Sequence, residues 1–167
     1  MGRAILPVLG TVAAALIGGM GSVRSGELYQ QLDKPAWAPP ASVFGPVWTV
    51  LYVLMGLAAV LVVRRAGARS TGPALPLFAA QLALNALWPW LFFDWRLGGV
   101  ALAEIAALLV VLLLTVRAFA GIHRWAAALL VPYLAWVAYA AALTWSVWRR
   151  NPDLLAAVTD AFGLSST

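Results

Sequence analysis

Hydrophobic positions in this chain run on in five long blocks, and the short segments between the blocks hold most of the charge. The blocks are Ala4–Val23, Ser42–Val63, Ala74–Phe93, Gly98–Phe119 and Trp125–Val147. A helix rises 1.5 Å per residue, so about 20 apolar residues cross a hydrocarbon slab of roughly 30 Å. Each block reaches that length. The pattern predicts an all-α protein, a five-transmembrane-helix bundle forming one domain over residues 1–151, with a short polar and amphipathic tail over 152–167. The first block is too long for the apolar core of a signal peptide and is read as a retained span.

Within the blocks, the informative residues fall on stripes. In the first span Gly10, Ala14 and Gly18 recur every four residues, with Gly21 near the same face. Such a face lets another helix approach closely, either inside the bundle or across a homodimer, and Ala79 with Ala83 gives a second one. The second span carries Trp48, Tyr52 and Met55; the third carries Gln81, Asn85, Trp88 and Phe92; the fifth carries Tyr133, Trp136, Ala140 and Thr144. An aromatic stripe on one helix usually serves packing. Three polar-tipped stripes near one membrane face suggest rings gathered around a shared space.

Polar side chains at membrane depth need partners that lipid does not offer. Gln81 and Asn85 are expected to face the interior, bonding between helices or, for Asn85, donating to a ligand. Glu104 lies about 9 Å into the fourth span. An acid costs roughly 2.5–3.5 kcal/mol at a span centre, so pairing or snorkelling is expected ahead of a proton relay.

Residues 24–41 form the one substantial connection. Their second half, Lys34-Pro35-Ala36-Trp37-Ala38-Pro39-Pro40, is expected to be stiff and extended, because proline fixes φ and removes a donor. Trp37 there is either an interfacial anchor or the wall of a lid. After the last block, Asn151-Pro152-Asp153 reads as an N-cap, a first-turn proline and an acid at the positive helix end. Leu154, Leu155, Val158 and Phe162 then give a short apolar face suited to the membrane surface.

Composition narrows the chemistry. Hydrophobic residues make up 63% of the chain, charged residues 10%, and mean hydropathy is +0.90. The absence of cysteine excludes disulfides, thiolate metal sites and a cysteine nucleophile. The lone histidine, His123, sits in a loop, so neither a zinc nor a haem-iron site is supported, and no cofactor is expected. There is no phosphate-binding glycine loop, no Ser–His–acid set and no pair of close carboxylates. The net charge of +5 sits at span ends, which argues for a bilayer and against nucleic acid. Arg3, Arg64, Arg65, Arg69, Arg117 and Arg124 share one side, against Arg24, Lys34, Arg96, Arg149 and Arg150 on the other. That near-balance leaves orientation open, with the Arg64/Arg65/Arg69 loop favouring a cytoplasmic N-terminus. What remains is indole: nine tryptophans, on which a flat, apolar small molecule could stack, with Arg24 or Lys34 meeting a ligand carboxylate at the rim.

The motif Lys34-Pro35-Ala36-Trp37-Ala38-Pro39-Pro40, followed by Val43-Phe44-Gly45-Pro46-Val47-Trp48-Thr49 and Leu51-Tyr52, resembles the translocator protein family, also called tryptophan-rich sensory or peripheral benzodiazepine receptor proteins. So do Gln81-Leu82-Ala83-Leu84-Asn85 with Trp88 and Phe92-Phe93, and Pro132-Tyr133-Leu134-Ala135-Trp136. The resemblance runs from about residue 5 to 151. It implies a homodimeric five-helix bundle that binds porphyrins, sterols and benzodiazepine- or isoquinoline-type ligands beneath the first loop. The ligand-binding set it implies, joined to the stripes above, is Trp37, Trp48, Tyr52, Asn85, Trp88, Trp136, Ala140 and Leu143. Some members are associated with light-dependent porphyrin breakdown attributed to tryptophans matching Trp48 and Trp136. Three readings therefore stand: a tetrapyrrole binder or carrier, a light-dependent porphyrin-degrading enzyme, and a structural or regulatory membrane partner. The chain departs from the proposed sterol motif of the last span, because Trp145 stands where that motif needs a tyrosine before a basic residue, here Arg149.

Overall fold

In the computed structural model, residues 5–23, 25–66 and 71–155 are described. Every regular element among them is helical: α1 Ile5–Gly21, α2 Ser25–Gln31, a 3₁₀ turn Ala41–Val43, α3 Phe44–Ala66, α4 Ala74–Pro89, a π-helical turn Trp90–Asp94, α5 Gly98–Ile122 and α6 Arg124–Arg150. Among the described residues, four helical stretches are long and apolar enough to cross a membrane: Ala41–Ala66, Ala74–Asp94, Gly98–Ile122 and Arg124–Arg150. The count becomes five if α1 is joined to α2, which lies at 51° to it. With no water at that depth to satisfy backbone groups, continuous helices are the form these runs must take.

The long helices close into a ring, each packed on the next in the order α1, α4, α5, α6, α3 and back to α1. The small residues of α1 make its seat in that ring. A methyl on Gly18 would lie 3.6 Å from both the Ala86 backbone and the Tyr52 hydroxyl, and one on Gly10 would lie 3.8 Å from Leu82. Ala14 is buried beside them. The Gly10/Ala14/Gly18 face is thus spent inside the bundle and is not open to a second copy, which corrects half of the dimer expectation. Ala79 and Ala83 remain exposed on α4.

The two ends of the ring differ. Towards one end Met55, Ala58, Val62, Phe78, Leu112, Phe119, Leu130 and Tyr133 pack without solvent exposure worth noting, and Phe78 stacks on Phe119 at 5.7 Å between ring centroids. The other end is hollow. Pro89 helps to shape it: lacking an N–H, it cannot bond the carbonyl one turn back, and the chain winds wider just after it. The Trp95 N–H reaches the Trp90 carbonyl at 2.8 Å, five residues back. Pro132 interrupts α6 in the same way without ending it.

Three loop expectations are revised. The first half of the 24–41 connection is a helix, α2, whose Leu28 and Tyr29 are buried. The proline run is not fully extended, since the Ala38 N–H bonds the Pro35 carbonyl at 2.9 Å and turns the chain at Ala36–Trp37. Asn151 caps no tail helix with its side chain. Its Oδ1 accepts from the Asp33 N–H at 2.8 Å, and its Nδ2 donates to the carbonyls of Asp33 and Val147 at 2.9 and 2.8 Å. Two of its three bonds run to Asp33, so the side-chain oxygen is engaged by that segment and not by the tail. Val158 and Phe162 lie outside the described residues. The loop histidine, His123, accepts from the Ala126 N–H at 3.3 Å through Nδ1 and caps the start of α6.

Candidate functional site

The hollow end encloses a cavity of about 650 Å³, which α1, α2, α3, α4, α5 and α6 all help to line. That volume is in the range of sites that hold a drug-sized or cofactor-sized molecule. Trp48, Tyr52, Asn85, Trp88, Trp136, Ala140 and Leu143 all line it, so seven of the eight sequence-derived candidates converge on one space. Trp37 does not. It is half exposed, packs its ring edge-on against Tyr139 at 5.6 Å, and is absent from the cavity wall. The turn at Ala36–Trp37 swings the indole outward, where an extended run would have left its direction free.

The aromatic side chains form two groups facing the space. On one side Trp48 tilts against Tyr52 at 5.6 Å and meets Tyr133 edge-on at 6.1 Å. Phe44 touches both Tyr29 and Trp136, at 5.5 and 5.9 Å. On the other side Trp88 stacks on Phe92 at 5.0 Å, with Phe93 edge-on to both. Rings that brace one another edge-to-face are held in place before any ligand arrives, so their ordering cost is already met.

At the floor, a chain of hydrogen bonds ties three helices. The Tyr52 hydroxyl donates to Asn85 Oδ1 at 2.6 Å, and Asn85 Nδ2 donates to the Tyr133 hydroxyl at 3.0 Å. Asn85 is therefore engaged on both sides by protein, and its first role is structural. Gln81 is fully buried one turn further along, and neither its carbonyl nor its amide has a hydrogen-bond partner among the described residues. The Trp88 indole N–H is likewise unpaired. Glu104 neither snorkels nor pairs: it is buried, and both carboxyl oxygens lack a partner among the described residues. It shares the inward stripe of α5 with Ala101, Ile105 and Leu108, and two methylenes are too few to carry its head group out.

The segment from Ser25 to Pro40, which puts Ser25, Gly26, Tyr29 and Leu32 on the cavity wall, is fastened at several points. Besides the Asn151 clamp, Arg150 pairs with Asp33 at 3.5 Å, the Tyr139 hydroxyl donates to the Trp37 carbonyl at 2.9 Å, and the Tyr29 hydroxyl donates to the Pro39 carbonyl at 2.6 Å. Lys34 folds back to donate to the carbonyls of Tyr29 and Leu32, and is not on the cavity wall. Arg24, the other proposed rim cation, lies outside the described residues. Tyr29, Leu32, Phe44, Ile105 and Leu108 line the cavity without having been singled out from the sequence. The Leu28, Tyr29, Leu32 spacing was the available signal for the first two, since it marks one face of a helical turn.

Fold and site define a class: a multi-pass integral membrane protein whose helices enclose an aromatic-walled, apolar cavity. Residues 5–149 match the TspO/MBR family, and the chain belongs to it. It is 39% identical over 153 residues to the translocator protein of Sus scrofa, covering 87% of this chain and 90% of that one. It is 40% identical over 129 residues to the tryptophan-rich sensory protein of Cereibacter sphaeroides, covering 77% and 80%. The human translocator protein is 38% identical over 154 residues, covering 90% and 89%.

Proposed function

We propose that this protein binds flat, largely apolar molecules in the cavity, tetrapyrroles of the protoporphyrin type first among them, in the service of porphyrin regulation or transport. Benzodiazepine- and isoquinoline-type compounds share the flat aromatic shape and fit the same reading. The observation that supports it is that Trp48, Trp88 and Trp136, from three different helices, face one cavity whose other walls are mostly aliphatic and aromatic. The macrocycle stacks on the indoles, and the Tyr52–Asn85–Tyr133 chain fixes the floor on which it rests. The segment 25–40 acts as the cap. In this reading five helices span the membrane, α1 included, and a second copy packs on the flat face that Ala79 and Ala83 present.

Titrating the purified protein with protoporphyrin and following tryptophan quenching tests the reading. Ring contacts contribute about 0.5–1.5 kcal/mol each, so Trp48→Ala with Trp136→Ala is expected to weaken binding by about tenfold to a hundredfold. Unchanged affinity in the double variant, or no saturable binding by the parent protein, overturns the assignment.

A further inference from the structure

The cavity has an edge that faces lipid. Among its lining residues, Gly19 on α1 and Gly45, Thr49 and Val53 on α3 are exposed on the outer surface of the ring. These two helices meet at Gly18 and Tyr52. On either side of that contact the rim is built of small side chains, and a methyl placed on Gly19 or Gly45 meets nothing within 4 Å.

The rim is also chemically prepared for an apolar visitor. Its two hydroxyls are turned onto their own helices: Ser22 Oγ donates to the Gly18 carbonyl at 3.0 Å, and Thr49 Oγ1 donates to the Gly45 carbonyl at 2.9 Å. With those donors satisfied, the slot between α1 and α3 offers carbon to whatever passes and requires no desolvation of its own. The aqueous side is different. There the 25–40 segment is bolted to α6 by the Asn151 and Arg150 contacts with Asp33 and by the Tyr139 contact with Trp37.

We infer that the cavity is loaded sideways from the bilayer, through the α1/α3 slot, and that its ligands are flat amphiphiles already dissolved in the membrane. The inference rests on the binding reading above. A side slot acts on rates: narrowing it slows entry and exit alike and leaves the equilibrium constant in place.

The test uses the full chain in lipid nanodiscs, with protoporphyrin supplied from donor vesicles and binding followed by stopped-flow quenching. Gly19→Phe with Gly45→Phe is expected to lower the association rate and the dissociation rate together, each by about tenfold or more. Thr49→Phe, at the same rim, is the second probe if the double variant does not fold. In parallel, Asp33→Cys with Arg150→Cys, bridged through two disulfides by a short bis(methanethiosulfonate) in this otherwise cysteine-free chain, holds the cap closed and is expected to leave both rates unchanged. Normal rates in the rim variants, or loading that stops on bridging and returns on reduction, overturns the side entry while leaving the binding site intact. Absence of binding by the parent protein removes the site itself and the entry route with it.

Discussion

Replacing Asn85 by leucine is expected to destabilise the bundle through two orphaned phenols of unequal cost. Tyr133 is wholly buried, so losing the Asn85 amide leaves its hydroxyl with no donor and no route to water. A buried polar group stripped of its partner costs about 1–3 kcal/mol, and hydrogen bonds between membrane helices are measured at roughly 0.6–1.7 kcal/mol. Tyr52 borders the cavity and can turn its hydroxyl towards that space, so its share falls at the low end. The sum is about 1.5–3 kcal/mol. Adding Tyr133→Phe removes the stranded hydroxyl, so the double variant should cost less than the two single changes together, by about 0.5–1.5 kcal/mol. Unfolding in mixed detergent micelles, followed by far-ultraviolet circular dichroism, reads all four corners of the cycle. Strict additivity, or a single-variant cost below about 0.3 kcal/mol, would refute the claim that this chain of hydrogen bonds holds α3, α4 and α6 together.

Glu104→Leu is expected to leave the unfolding midpoint unchanged or raise it, by up to about 3 kcal/mol of stability, because it removes a buried carboxyl that has no partner among the described residues. A fall of that size in the same assay would show that the carboxyl has a stabilising contact. Asn151→Ala removes the two bonds to Asp33 and one to Val147 and should cost about 1–3 kcal/mol. The same change should speed proteolysis within residues 32–40, and an unaltered cleavage rate would show that the clamp does not hold that segment.

How much of this was legible beforehand follows from the physics of each level. Hydropathy alone marked every long helix, because a bilayer demands about 20 apolar residues and forbids unpaired backbone. The cavity tryptophans were legible too, because helical periodicity put Trp48 with Tyr52, Asn85 with Trp88, and Trp136 with Ala140 on inward stripes. The connection between α1 and α3 resisted. Seven residues of α2 are too short to stand out from polar surroundings, and the outward turn of Trp37 depends on Tyr139, a hundred residues away. Asn151 was misread for a related reason: its local pattern suits a helix cap, while its partner Asp33 lies 118 residues earlier. The Gly10/Ala14/Gly18 face was correctly read as a packing surface, but spacing cannot tell whether the partner is α4 or another copy. Long-range pairing of short polar segments leaves no periodic trace.

Ligand protection of single cysteines tests most directly where the porphyrin sits. In this cysteine-free chain, Ala140→Cys places a thiol on the cavity wall and Trp37→Cys places one outside it. Saturating protoporphyrin is predicted to slow maleimide labelling of the Ala140→Cys protein by about tenfold or more, as burial under a bound ligand requires, and to leave the Trp37→Cys protein unaffected. Equal labelling of Ala140→Cys with and without ligand, or protection at Trp37→Cys alone, would contradict the account.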